Sequence, residues 1–147
     1  QFPYLVDPNT KTSMYESDAI VAYLFATYGG REPGVLVGGP LATASSALAS
    51  AFRPTAGSRA RPSRRPKKPL ELWSFEASPF CRIARETLCE LELPYLLHNV
   101  GKNGAGRPAF VERSGKMMVP YLVDPNTKSE MFESADITAY LNATYGA

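Results

Sequence analysis

Carboxylates are missing from a long central stretch of this 147-residue chain: between Glu32 and Glu71 there is no Asp or Glu. The same stretch carries seven cations (Arg53, Arg59, Arg61, Arg64, Arg65, Lys67 and Lys68), so a formal net charge of only +2 hides a remainder at −5. A net charge that small does not by itself imply a nucleic-acid partner. Cysteine is scarce. Cys81 and Cys89 would lie about 12 Å apart on one helix, too far to bridge, which excludes a disulfide framework and suits a reducing compartment. The one histidine, His98, falls on an expected strand and is read as solvent-facing, and no metal site is expected. Long apolar runs are also lacking. No charge occurs from Pro33 to Phe52, but Gly, Pro, Ser and Thr interrupt this segment and Ala supplies much of its apolarity. A membrane span needs about 20 predominantly apolar residues, so none is expected. The chain shows no N-terminal signal or initiator Met, and Gln1 reads as a processed or truncated start. Its 44% apolar and 20% charged residues are ordinary for a globular protein, with room for one domain, or for one small domain plus extra pieces.

What is present is a duplication. Residues 3–29 read PYLVDPNTKTSMYESDAIVAYLFATYG and residues 120–146 read PYLVDPNTKSEMFESADITAYLNATYG, identical at 20 of 27 positions with one constant offset. Two such copies are a repeated structural unit. About 50 residues of structured-looking sequence precede the second copy, whereas the first begins almost at residue 1.

Residues 2–7 predict a short strand, Asp7-Pro8-Asn9-Thr10 a type I turn with Pro at its second position, and Thr12–Tyr15 the return strand. Ser17 is a natural N-cap for a helix whose Ile20, Tyr23, Leu24 and Tyr28 form one face, and Gly29-Gly30 is a natural stop. Residues 31–69 read as a linker rich in Ala, Ser, Pro and Arg. Leu41, Ala44, Leu48 and Phe52 could line a weak helix, and residues 53–68 are expected to be disordered. The stretch 41–68 has the composition of an organelle transit peptide, which its internal position opposes. Its basic run reads first as a solvated connector and second as a tether to anionic lipid or nucleic acid. Residues 70–76 predict a strand that includes Trp73. Ser78-Pro79 opens a helix, with Ser at the N-cap and Pro at the first position. Phe80, Ile83, Ala84, Leu88 and Leu91 form its expected buried stripe, and Arg82 pairs with Glu86 on the wet face. Pro94 is its expected end. A strand over Tyr95–Val100, a Gly-rich loop over Lys102–Arg107 and a helical turn over Phe110–Arg113, stopped by Gly115, follow. Then come a strand over Met117–Val123, a fourth strand near Glu130–Phe132 and a helix over Ser134–Tyr145. The order β-α-β-α-β-β-α within 70–146 predicts an α/β sandwich on a four-stranded mixed sheet with right-handed crossovers, preceded by a β-β-α half-repeat. The domain reading is residues 1–30, 31–69 and 70–147.

Three segments converge in such a fold. Ser78-Pro79-Phe80-Cys81 opens a helix, where free amides and the helix dipole favour a thiolate or another anion, and Arg82 and Arg85 add positive potential. A proline inside a strand is unusual; a cis Val119–Pro120 bond would present the Val119 backbone to an extended peptide. Glu133-Ser134 starts the last helix, where amides and a hydroxyl can hold a carboxylate and the Glu can hold an ammonium. A thiol between two peptide-like arms, with amine and carboxylate at one end, describes glutathione.

S-P-F-C at a strand–helix junction, V-P-Y-L some 40 residues later and E-S before a helix together resemble the N-terminal domain of glutathione S-transferases, a thioredoxin-like fold close to glutaredoxins. The resemblance covers residues 70–146 as a whole domain and 2–30 as half of another. The tandem arrangement is similar to a plant and algal group of chloroplast-directed proteins with two such domains, which implies a chloroplast location. It further implies that Val119 and Pro120 hold the cysteinyl part of glutathione, that Glu133 and Ser134 hold its γ-glutamyl end, that Phe80 contacts it, and that Ser78 is the catalytic position. Glutaredoxins have Cys where Ser78 stands, and Cys81 matches their second Cys. The implied activity is glutathione transfer or glutathione-dependent thiol–disulfide exchange, with glutathione as co-substrate, Ser78 stabilising its thiolate and Cys81 forming a mixed disulfide. The alternative is a non-catalytic binding module tethered by the basic linker. Plainer roles stand beside these: Ser78 as an N-cap, Cys81 as a packing thiol, Cys89 as a core or flank residue and Glu133-Ser134 as a helix start. The half-repeat has no Ser/Cys segment, so no independent site is expected there. A lone hairpin and helix bury little and leave an unpaired edge, so a homodimer through an exchanged or edge-paired segment 2–30 is expected.

Overall fold

The computed structural model describes residues 2–30 and 57–147. The chain divides into two compact units, Gln1–Pro54 and Thr55–Ala147. The candidate helix along Leu41–Phe52, Arg53 and most of the transit-like stretch lie outside the described residues.

In the first unit, β1 (Tyr4–Asp7) and β2 (Thr12–Tyr15) form an antiparallel hairpin, with Tyr4 opposite Tyr15 and Asp7 opposite Thr12. Helix α1 (Ser17–Leu24) continues into a wider last turn, Phe25–Gly29, and Gly30 closes it at φ 60°. Ser17 is not the N-cap. It is the first helical residue, and Glu16 takes the cap position at φ 73° with no side-chain cap bond. The hairpin and helix are joined through Asp7, which accepts hydrogen bonds from the Tyr23 hydroxyl (2.6 Å), the Tyr28 hydroxyl (2.5 Å) and the Asn9 amide (2.9 Å).

The second unit runs β3 (Leu70–Ser74), α2 (Pro79–Glu90), β4 (Tyr95–Asn99), α3 (Gly106–Ser114), β5 (Tyr121–Asp124), β6 (Ser129–Phe132) and α4 (Ser134–Tyr145). The sheet order is β4-β3-β5-β6, with β3 parallel to β4 and antiparallel to β5, and β5 antiparallel to β6. This is the four-stranded mixed sheet that the element order predicts. Alternate strand residues face opposite sides. Leu70, Leu72 and Leu122 meet Ala84 and Leu88 of α2, Leu91 just past its end, and Ile137, Leu141 and Tyr145 of α4. Trp73, Tyr121 and Val123 meet Phe110 of α3 and Val100 on the other face. The central strand is therefore covered on both sides.

Several expectations are corrected. Phe80 is exposed rather than part of the α2 stripe, and Cys81, with Thr87, joins Ala84 and Leu88 among the buried residues. Cys81 precedes Ala84 by three and Leu88 by seven, so it shares their face. Helix α2 stops at Glu90, well before Pro94. Glu92 takes φ 48°, and the Leu93 amide returns to the Leu88 carbonyl at 3.0 Å. This is a Schellman-type ending that turns Leu93 into the core. Helix α3 is longer than Phe110–Arg113; it buries only Phe110, so apolar periodicity could not reveal its length. It ends at Gly115 (φ 77°), as expected. Residues 117–120 are not strand; β5 begins at Tyr121.

The expected disorder of 53–68 does not hold for residues 57–68, which lie as a strap along the second unit. The Arg61 amide donates to the Glu90 carbonyl (2.7 Å) and the Arg64 amide to the Tyr145 carbonyl (2.8 Å). Ser63 Oγ donates to the Leu91 carbonyl (2.6 Å) and Ser63 bridges to Gly146. The Lys68 amide donates to Asn126 Oδ1 (2.9 Å), and Asn126 Nδ2 donates back to the Lys68 carbonyl (3.0 Å). The last carbonyls of α2 and α4 have no partner within their helices, and the strap supplies donors to them. No helix among the described residues is long and apolar enough to cross a membrane.

Candidate functional site

A cleft of about 370 Å³ opens where β3, α2, the loop before β5 and the start of α4 meet. Ser78 and Phe80 come from the α2 start, Val119 and Pro120 from the loop, and Glu133 from the α4 cap; Phe75, Arg107, Met117 and Met118 complete the wall. Five of the sequence-predicted site residues are thus brought to one place. Two are not. Cys81 is fully buried beneath the cleft, where its Sγ accepts from the Phe75 amide at 3.4 Å. Ser134 is buried at the first position of α4, next to Glu133 but outside the cleft wall.

Ser78 sits at the N-cap of α2 with extended dihedrals (φ −83°, ψ 121°), and its Oγ accepts from the Cys81 amide at 3.3 Å. The cap uses one lone pair of the hydroxyl and leaves its proton available as a donor. Pro79 at the first helical position fixes the approach. An anion near Ser78 would meet the positive end of the α2 dipole. Arg82 and Arg85 contribute less than their formal charge. Arg82 Nε is 3.0 Å from Glu86 Oε1, the expected pair, and Arg85 forms a two-pronged pair with Glu76 that raises its pKa.

Val119–Pro120 is cis, as expected, and Pro120 is buried. Glu133 is exposed and held at φ 65°, a left-handed conformation that is costly for a residue with a Cβ.

Phe75, Arg107, Met117 and Met118 are cleft residues that sequence reasoning missed, and Arg107 is the charged one among them. Its Nε donates to the Val100 carbonyl at 3.1 Å, which steadies the guanidinium at the cleft wall without neutralising it. Its signal was an Arg at the exit of the Gly-rich loop, immediately before Pro108, which fits the first turn of a helix. His98 does not simply face water: its ring stacks on Trp73 (centroids 4.1 Å apart) and its Nε2 lies 2.9 Å from Glu71 Oε2. Cys89 is exposed on the flank of α2.

A strand–helix–strand followed by a hairpin and a closing helix, with a cis proline opposite the first helix start, defines a thioredoxin-like fold. The chain matches the family model described as "Glutathione S-transferase, N-terminal domain" over residues 1–32 and 72–147. It belongs to that family. A search of curated proteins finds no match. Among solved structures, the chain is similar to the Bombyx mori glutathione transferase BmGSTD1 (28% identity, 56% of this chain and 39% of that one, TM-score 0.49). It is also similar to glutaredoxin 2 from Salmonella typhimurium, solved in complex with glutathione (26% identity, 52% of this chain and 34% of that one, TM-score 0.43). The chain spans less than two fifths of the length of either protein.

Proposed function

We propose that the chain binds glutathione in this cleft and acts as a glutathione transferase or glutathione-dependent thiol–disulfide oxidoreductase. The observation that carries the reading is that Ser78, Val119–Pro120 and Glu133, from three separate segments, line one cleft. The donor set suits the tripeptide. The Glu133 carboxylate complements the γ-glutamyl ammonium, and the amides at the α4 start, including that of Ser134, suit its carboxylate. The Val119 backbone would pair with the cysteinyl residue, Phe80 would pack beside it, and Arg107 complements the remaining carboxylate. The free Ser78 proton and the α2 start would stabilise a thiolate placed there, lowering the thiol pKa and raising the fraction of nucleophile.

A mixed disulfide at Cys81 is not part of this reading, because a thiol with no exposed surface cannot meet a disulfide without opening α2. Titration calorimetry with glutathione and with S-methylglutathione tests the proposal. Glu133→Gln should weaken both ligands; Ser78→Ala should weaken only the one with a free thiol. No binding, or equal binding by wild type and Glu133→Gln, would sink it. Oxidised glutathione followed by intact-mass measurement should give no adduct in Cys89→Ser, whose one remaining thiol is Cys81.

The domain reading stays 1–30, 31–69 and 70–147, with residues 57–68 fastened to the last of these. The tandem arrangement and a chloroplast address belong to the same reading, supported by the wording of the repeat and its resemblance to the chloroplast-directed tandem group. We also infer a homodimer through exchange or edge pairing of residues 2–30, supported by the exposed apolar side chains of that unit. Light scattering that finds only monomer at high concentration would overturn it.

A further inference from the structure

Residues 59–68 carry six cations and no carboxylate. Arg61 is paired, its Nε lying 3.1 Å from Glu90 Oε2. Arg59, Arg64, Arg65, Lys67 and Lys68 are exposed and have no ion-pair partner among the described residues. Like charges so close together repel, and such runs are usually loose chain. Here the backbone bonds to the ends of α2 and α4 and to Asn126 hold the run in place. A line of positive charge is therefore fixed on a folded surface, and a partner need not meet the entropy of ordering it.

Arg65, Lys67 and Lys68 form one wall of a groove of about 470 Å³. The β5–β6 turn, with Pro125 and Thr127, and Thr144 of α4 stand opposite. This groove is separate from the Ser78 cleft and shares no residue with it.

We propose that the groove docks an acidic peptide segment of a partner protein, lying extended along residues 64–68. Four cations in five residues span about 13 Å at the rise of an extended chain, the length over which an extended acidic peptide presents four or five residues. The site is concave, which suits a single chain and not a bilayer surface. Beyond the strap, residues 69–147 carry seven cations and ten carboxylates, so a duplex or a membrane broad enough to touch more than the strap meets net repulsion. Single-stranded nucleic acid would need an exposed ring on which to stack. The only aromatic side chain of the groove, Tyr145, is buried with its hydroxyl on Asp124.

Fluorescence anisotropy of a labelled hexaglutamate peptide with the full chain tests the proposal. Binding should weaken steeply with added salt. The triple variant Arg65→Gln/Lys67→Gln/Lys68→Gln should bind about tenfold more weakly or worse, with an unchanged circular dichroism spectrum. The double variant Lys102→Gln/Lys116→Gln, which removes two cations that lie outside the groove, should bind as wild type, and so should Glu133→Gln in the other cleft. The proposal is overturned if the peptide does not bind or if the triple variant retains wild-type affinity. It is equally overturned if the Lys102/Lys116 variant loses as much, or if oligo-dT or phosphatidylserine-containing vesicles bind more tightly than the peptide at the same salt.

Discussion

Residues 3–29 and 120–146 are nearly the same sequence in two settings, and they separate what a segment encodes from what its surroundings supply. Their local structures coincide. Each begins with a cis X-Pro bond and forms an antiparallel hairpin of the same register. Each holds its Glu at positive φ, 73° at Glu16 and 65° at Glu133. Each ties the hairpin to the helix by two tyrosine hydroxyls on one Asp: 2.6 and 2.5 Å at Asp7, 2.6 and 2.5 Å at Asp124. Burial does not coincide. Tyr4 is 49% exposed and Tyr121 3%; Val6 is 63% and Val123 8%; Tyr28 is 56% and Tyr145 6%. The difference is β3, α2 and α3, which cover the second copy within its own unit. The comparison also limits what backbone strain can mean. Glu16 shares the conformation of Glu133 although its unit has no Ser78 counterpart, so the left-handed Glu belongs to the repeat and is not by itself the mark of a ligand site.

The largest expected difference between the copies is in the core. Leu122→Ala removes a side chain with no exposure from the central sheet and should cost about 2–5 kcal/mol, read as a lower urea midpoint of the main unfolding transition. Leu5→Ala, at the equivalent, partly exposed position, should leave that midpoint in place. Equal shifts would break the comparison, since they would require the first copy to be buried as deeply as the second.

Removing one donor from each carboxylate should give a smaller difference. Tyr145→Phe leaves buried Asp124 short of a hydrogen bond and should cost about 1–3 kcal/mol, whereas Tyr28→Phe acts on an exposed tyrosine and should move the main transition little. Thermal melts of the two variants make the measurement; a larger loss for Tyr28→Phe would reverse the reading.

Acid should produce the smallest effect. The hydrogen bonds from Tyr23 and then Tyr28 lower the Asp7 carboxyl from 3.8 to about 2. Burial alone would raise Asp124, but the bonds from Tyr140, Tyr145 and Asn126 outweigh it and hold it below its ordinary value. A carboxyl depressed in the folded state contributes stability above its unfolded value, and that contribution is lost as pH falls through the folded one. Both units should therefore be insensitive at neutral pH and weaken only below about pH 4, with Asp7 protonating as pH approaches 2. Asp124→Asn should flatten the acid limb of the main transition, as followed by urea denaturation across that range. An unchanged acid limb would show that other carboxylates control it.

Much of the cleft could be read before the fold was known, because the groups concerned act through their own backbone. Ser78-Pro79 is a favoured helix start, Gly115 a favoured helix stop, and Val119–Pro120 a candidate cis bond in the middle of an apolar run. Other features were not legible because they depend on partners far along the chain. Phe80 and Cys81 are adjacent, and which of the two faces the core depends on how α2 sits against β3. Arg107 reaches the cleft only because α3 begins at Gly106 and the Val100 carbonyl holds its guanidinium. The strap at 57–68 has the composition of disordered chain, and it is ordered by carbonyls that α2 and α4 leave open.

The amino-acid order of the repeat alone determined a hairpin, a helix, a left-handed Glu and a carboxylate held by two tyrosines, since all of these arise from contacts within 27 residues and recur in both copies. Tertiary structure alone decided that Tyr121, Val123 and Tyr145 are core while Tyr4, Val6 and Tyr28 are surface, that Ser78 and Glu133 share a cleft, and that Cys81 lies under it. The physical reason is range: hydrogen bonds and backbone sterics act between near neighbours in the chain, whereas removing apolar surface from water requires a second face, which only the β3–α2 half of the domain provides.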